Sequence, residues 1–244
     1  MVRIHTEIYT ENLEGHLVIY GWQKHYKILL KELHGEGLSG FSKTIIVIQT
    51  DSHAKMEDLG SHIYSLPGSG DFEEDLRSAN IQKAETLIIS SFAKSSRQER
   101  AWEAHAILIS LLAKKLNPRV RVVVDIPFGN NVEHLLNAGV DEVICGEEFC
   151  SMLAASTMIN PGITFFFREI LSTQYGNEFY CAPFVTSQYI GKTYMVALEE
   201  IKEDKNALLL GIMRRKNILV NPQFLTIEKG DMAILLCEKR PSQL

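Results

Sequence analysis

A short apolar run, Leu17-Val18-Ile19-Tyr20, ends at Gly21, and the pattern then changes period: Tyr26, Leu29, Leu30 and Leu33 recur at i, i+3, i+4 and i+7. A continuous run followed by helical spacing predicts a strand, a tight turn and a helix, the opening of a nucleotide-type α/β fold. Further apolar runs follow at residues 44–51, 62–65, 86–91, 121–125 and 141–145. Runs that are apolar on both faces belong in a parallel sheet covered by helices. Helix signals lie between them. Pro67-Gly68-Ser69-Gly70 is a turn, Asp71 a cap, and Glu73, Glu74 and Asp75 occupy the first turn, where acids are favoured. Phe72, Leu76 and Ala79 form the buried stripe of that helix. Residues 98–116 predict a long helix with Trp102, Ile109 and Leu116 on one face, stopped by Pro118. Val132, Leu135 and Leu136 mark a short helix ended by Gly139. Six strands alternating with helices or short connections predict a doubly wound sheet over residues 17–146.

The pattern changes over residues 147–175. Met152 and Leu153 precede the small residues Ala154, Ala155 and Ser156, then come Met158, Ile159, the break Pro161-Gly162, and Phe165-Phe166-Phe167. This predicts two helices interrupted at Pro161-Gly162. Three adjacent phenylalanines point around more than one face of a helix, which calls for a second apolar partner such as another subunit. A membrane-surface helix is the alternative, but the segment lacks the basic face it needs. Residues 176–244 read as a smaller α+β module, with strands near 179–181, 207–212 and 233–237, a helix over 193–201 and a turn at Glu228-Lys229-Gly230-Asp231. Residues 1–16 are a polar linker or lead-in strand with Glu7, Glu11 and Glu14, of the kind expected where a domain is cut from a longer protein.

Composition narrows the classes. A formal net charge of −5 over 244 residues argues against a nucleic-acid partner, which favours basic surfaces. With 45% hydrophobic residues a sizeable core is expected, yet no run reaches the length of a membrane span, and the start is neither a signal nor a transit peptide. A soluble, cytoplasmic chain is the expectation. Cys145, Cys150, Cys181 and Cys237 form no Cys-x-x-Cys pair and have strand-like or apolar neighbours, so reduced, buried thiols are expected, with a zinc site as the second reading.

The candidate chemistry centres on Gly21. A dinucleotide fingerprint needs Gly-x-Gly-x-x-Gly; this chain has Gly21-Trp22-Gln23-Lys24-His25-Tyr26. Trp22 and Gln23 fill the place where a pyrophosphate would meet bare backbone, and Tyr26 replaces the glycine that lets helix and strand pack closely. Asp51, about thirty residues on, lies where such folds place the carboxylate for a ribose hydroxyl; a strand-end acid or helix cap is the competing reading. The candidate cofactor-binding set is Gly21, Trp22, Gln23, Asp51, Gly70, Asp71, Ser90 and Asp125, with Lys24 and Arg77 as phosphate partners. The ligands weighed are NAD(H), an adenine nucleotide, or a divalent cation such as Ca2+. No catalytic residues are assigned. An NAD-dependent oxidoreductase would need an ordered acid/base set, and the histidines, including His25, His34, His62, His105 and His134, sit in ordinary helix, strand or loop positions.

Taken in order, these landmarks resemble an RCK domain, a regulator of potassium conductance. The residues that carry the likeness are Leu17 to Trp22, Gly70-Asp71, Leu76-x-x-Ala79-Asn80-Ile81, Ala84 to Ile89 and Asn137 to Ile144, then Gly191-Lys192, Gly211, Arg214-Arg215, Asn221-Pro222 and Gly230-Asp231. The resemblance covers roughly residues 15–240. It implies a Rossmann-like N-terminal subdomain at 17–146, crossover helices at 147–175 and a C-terminal subdomain at 176–244. It also implies a cytosolic regulatory module, docked on the membrane through the pore that it regulates. Two copies would pair through residues 147–173, and the pairs would assemble into a ring beneath a membrane-embedded potassium pore. A small-molecule or ion ligand would change the hinge, with joints at Pro161-Gly162 and residues 172–177. Gly21-Trp22 is similar to the channel-type branch; the soluble subunits of Trk/Ktr-type potassium transporters, the alternative reading, more often keep the glycines. Calcium-gated members place carboxylates just after the second crossover helix. Here that stretch is Ser172-Thr173-Gln174-Tyr175, and Glu169 with Asp141 is too few oxygens for calcium, which takes six to eight. Calcium elsewhere stays open.

Overall fold

A computed structural model describes residues 10–23, 25–33, 43–50, 62–90, 96–127, 129, 132–174, 176–184, 188–215, 217–239 and 241. The chain divides into two units, residues 1–31 with 41–158, and residues 32–40 with 159–244.

In the first unit, β1 (Leu17–Tyr20), β2 (Ile45–Gln49), β3 (Ile63–Pro67), β4 (Thr86–Ser90), β5 (Arg121–Ile126) and β6 (Glu142–Cys145) form one sheet. Every neighbouring pair is parallel, in the order β3-β2-β1-β4-β5-β6. The chain runs outward from β1 to β3, then crosses back to β4, so the order reverses between β1 and β4. The helices are α1 (Tyr26–Leu33), α2 (Phe72–Ser78), α3 (Ser96–Leu116), α4 (Val132–Asn137) and α5 (Gly146–Ile159). All four residues of β1 are buried, as are Ile45 to Ile48 of β2, which is why these strands read as unbroken apolar runs. One face packs Val18, Ile46, Leu87 and Val122 with Leu76 of α2 and Ala106, Ile109 and Ala113 of α3.

Asp71 caps α2 as expected, accepting from the N–H groups of Glu73 and Glu74 at 2.9 and 3.1 Å. Asp75 lies in the first turn as expected. It is buried, and it accepts from the Tyr20 hydroxyl at 2.7 Å and from the Ser69 N–H and Oγ at 2.6 and 2.9 Å. Three donors satisfy the carboxylate, which makes its burial tolerable and ties the turn after β3 to β1.

In the second unit, α6 (Ile163–Leu171), β7 (Glu178–Pro183), α7 (Tyr194–Lys205), β8 (Leu208–Arg214), β9 (Asn217–Val220) and β10 (Met232–Cys237) follow in order. The sheet is antiparallel, β7-β10-β8-β9. Tyr180, Leu209, Ile212, Ala233 and Leu235 pack with Tyr194, Ala197 and Ile201 of α7, which forms its core. The strand β9 has no counterpart in the sequence reading.

All four cysteines are free, but burial of all four is not observed: Cys237 is buried, Cys145 partly so, and Cys150 and Cys181 are exposed. Cys150 lies on α5, where no residue is buried, and Cys181 lies on the strand face of β7 turned away from the core. Among the described residues no helix is long and apolar enough to cross a membrane.

Candidate functional site

The reversal of strand order between β1 and β4 is where open α/β sheets bind ligands, outside the carboxyl ends of the strands. Gly21 closes β1 there with φ +87°, a value that suits glycine, and its N–H donates to Ile48 O at 3.0 Å. A Cβ on Gly21 would lie 3.5 Å from the Ser90 Cβ at the end of β4, so the two positions meet. Asp125 comes from the end of β5.

Aromatic side chains from the same turn are buried beside these residues. Trp22 is 4% and Tyr26 3% exposed, and their rings meet edge to face at 6.1 Å. The Tyr26 hydroxyl donates to Asp125 Oδ2 at 3.3 Å, and His25 Nε2 lies 3.8 Å from the same oxygen. The His25 ring stands edge-on to Tyr26 at 4.9 Å. The Ser90 Oγ is fully buried beneath. Burial pushes the Asp125 carboxyl above the usual range, with His25 and Tyr26 pulling the other way. Burial, and then the Asp125 charge, push the Tyr26 phenol up.

Of the sequence candidates, Gly21, Trp22, Ser90 and Asp125 therefore converge. Gln23 serves the turn into α1, its carbonyl accepting from the Tyr26 N–H at 3.0 Å. Gly70 and Asp71 belong to the turn that starts α2, where Asp71 is engaged as the cap. Arg77 is held on the exposed face of α2 by Glu73, with Nε and Nη2 at 3.1 and 2.6 Å. Asp51 and Lys24 lie outside the described residues. Two contributors were missed, the Tyr26 hydroxyl and His25. Their signal was a phenol and an imidazole at the head of the first helix, where a nucleotide site has small residues.

A dinucleotide pyrophosphate does not fit this cradle. It needs bare backbone and positive potential; here Trp22 and Tyr26 stand where the fingerprint has small residues, and the Asp125 carboxylate, engaged by the Tyr26 hydroxyl, lies at the end of β5. Among the described residues no group of three or more His, Cys, Asp or Glu side chains is placed to hold a metal ion. Asp141 is engaged elsewhere, accepting from Lys114 Nζ and from the Val122 N–H, both at 2.8 Å.

The interrupted helix pair is the second notable feature. No residue of α5 is buried, and Phe149, Met152 and Met158 are exposed, Met158 at 87%. Gly162, with φ +94°, caps α6, on which Phe165, at 76%, Phe166 and Leu171 are exposed and Ile170 is buried.

Residues 12–124 match the family model of the calcium-activated potassium channel slowpoke-like RCK domain. Over this stretch the chain is similar to RCK domains. A calcium-gated potassium channel, TvoK, from Thermoplasma volcanium is 25% identical over 163 residues, covering 66% of this chain and 45% of that protein. Potassium channel protein 1 of Methanocaldococcus jannaschii is 26% identical over 228 residues, covering 92% of this chain and 59% of that protein. The chain thus spans about half the length of the curated relatives it matches. Among solved structures, the human SLO3 gating ring superposes with a TM-score of 0.69 at 17% identity, over 92% of this chain and 44% of that one. The shared fold is therefore that of RCK domains, with a Rossmann-like first unit.

Proposed function

We propose that this chain is the cytosolic ligand-sensing regulatory domain that gates potassium conduction through a membrane pore. The observation that carries the reading is the RCK match in the first unit, supported by a potassium-channel relative aligned over 92% of the chain. The exposed apolar residues of α5 and α6 support pairing of two copies through these helices, a step toward a higher ring. The gating ligand is a small molecule or an ion. The Gly21 cradle is a poor seat for NAD(H) or an adenine nucleotide, because Trp22 and Tyr26 replace its small residues and the Asp125 carboxylate stands beside them. For the same reason hydride transfer is disfavoured. A transporter subunit would share the architecture and differ in its membrane partner; the relatives named as potassium channels favour the channel.

A ligand gates only by binding two states with different affinity. A tenfold change in the open ratio per site corresponds to about 1.4 kcal/mol of differential binding. The test is potassium efflux from proteoliposomes that hold the chain together with its pore. Efflux is measured with and without calcium, ADP, ATP, NAD or NADH. Efflux should change severalfold with one of these ligands, and only when the chain is present. Efflux that is the same with the chain and without it, under every ligand, overturns the reading.

A further inference from the structure

Among the described residues, β9 is an outer strand of the second unit's sheet, hydrogen-bonded to β8 alone. All four of its residues are exposed. Leu219 pairs with Ile212 and so lies on the core side of the sheet, whereas Ile218 and Val220 lie on the other face, Val220 at 75% exposure. Phe224, just beyond the strand, is 95% exposed. The opposite edge strand, β7, begins with Glu178 and ends with Pro183. Charge and proline are devices that keep an edge from pairing. From Asn217 to Phe224 there is no charged residue, and β9 itself contains no proline.

The free backbone groups of β9 follow from the ladder. Asn221 donates its N–H to Leu210 O at 2.9 Å. In an antiparallel pair the bonded residues alternate. Residues 217, 219 and 221 therefore direct their N–H and C=O toward β8, while residues 218 and 220 direct theirs outward. The sequence Asn217-Ile218-Leu219-Val220-Asn221 reads almost the same in both directions about Leu219. An antiparallel copy turned about an axis through Leu219 sets Ile218 against Val220 of the second copy, and their outward groups then form four N–H to O bonds. Asn217 meets Asn221 of the second copy. Charge agrees with this register. Arg215 lies in the turn before β9, and the axis places the two copies' Arg215 residues at opposite ends of the paired strands, farther apart than a Debye length of about 8–10 Å. A parallel, in-register pair would stack them. Pairing also sets the apolar Ile218 of one copy beside Val220 of the other on the same face, a favourable cross-strand contact.

We propose that β9 pairs with β9 of a second copy across a two-fold axis through Leu219, joining two four-stranded sheets into one. The contact is carried by β9 itself and does not depend on the proposed pairing of α5 and α6.

The experiment uses the full chain with Leu219→Cys, and with Cys150→Ser and Cys181→Ser to remove the exposed native thiols. The two Leu219 positions form a non-hydrogen-bonded antiparallel pair, whose Cα atoms lie about 4.5 Å apart, inside the disulfide range of about 4.4–6.8 Å. Under mild oxidation Leu219→Cys should give a covalent dimer at least tenfold faster than Phe224→Cys, which is more exposed but far from the axis. Adding Val220→Lys should slow the cross-link at least tenfold while far-UV circular dichroism stays unchanged. The cross-link should persist in a Phe166→Asp background, which separates this contact from one through the helices. Equal rates for Leu219→Cys and Phe224→Cys overturn the proposal, as does loss of the cross-link in the Phe166→Asp background with the fold retained.

Discussion

Asp231 is buried, and its carboxylate is shared by three donors. Arg214 Nε donates to Oδ1 and Nη2 to Oδ2, both at 2.8 Å, and the Glu228 N–H donates to Oδ2 at 2.9 Å. The guanidinium also reaches Glu228 Oε1 at 2.8 Å and Thr226 O at 2.7 Å, tying β8 to the segment before β10. The Arg214 hydrogen bonds hold the Asp231 carboxyl below its usual range, against the effect of burial. A depressed folded value means that the stabilisation is present above the unfolded value, about 3.9, and is lost as pH falls through the folded one. Arg214→Met strands a buried carboxylate and should cost about 3 kcal/mol at pH 7. The cost should shrink toward zero at acid pH as Asp231 takes a proton. Urea denaturation of both proteins at pH 7 and pH 3 checks this; a cost that is the same at the two pH values would show that the charge pair is not its source. Asp125 has the opposite sign. Burial raises its carboxyl, so ionisation there weakens the fold as pH rises through the folded value.

At the scale of elements, α5 and α6 expose an amount of apolar surface that a lone chain leaves wet. Phe149, Met152, Met158, Phe165 and Phe166 are all exposed, whereas α3 buries Ala106, Ile109 and Ala113 against the first sheet. An obligate pairing of such helices usually buries more than about 2,000 Å² in total. Phe166→Asp places a charge in that surface and should shift the chain toward monomer in sedimentation velocity at micromolar concentration, with little effect on the fold because Phe166 is half exposed. A wild-type chain that is already monomeric there would remove the basis for a helix-mediated pair. These helices were legible because Pro161-Gly162 breaks the helical ladder wherever it falls. The six parallel strands were legible because burial on both faces leaves continuous apolar runs. β9 was not, because a strand with four exposed side chains carries no burial period. The convergence of Gly21, Ser90 and Asp125 followed from strand ends alone, since a doubly wound sheet gathers them at one edge. The Tyr26 hydroxyl was hidden, because spacing says which face of α1 a residue is on but not how far its side chain reaches across the sheet. Asp75 was hidden for a related reason: a first-turn acid looks the same in sequence whether it meets water or three buried donors.

At the scale of the molecule, the chain holds two cores that share no residue. One is built on Val18, Leu76, Leu87 and Ile109, the other on Tyr194, Ala197, Ile201 and Leu235. The chain's two tryptophans, Trp22 and Trp102, both fall in the first unit. Indole fluorescence therefore reports one unit, while far-UV circular dichroism reports both. Leu76 and Ile201 are each fully buried, and truncating either to alanine should cost about 2–5 kcal/mol in its own core. Cores that share no residue should respond separately, since independent sites add rather than couple. Leu76→Ala should move the fluorescence midpoint to lower urea. Ile201→Ala should leave that midpoint in place while part of the dichroism signal melts earlier. The double variant should show both shifts at their single-variant sizes. If Ile201→Ala moves the fluorescence midpoint as far as Leu76→Ala does, the two units unfold as one cooperative block, and a regulatory change could not then be stored in one unit while the other stays intact.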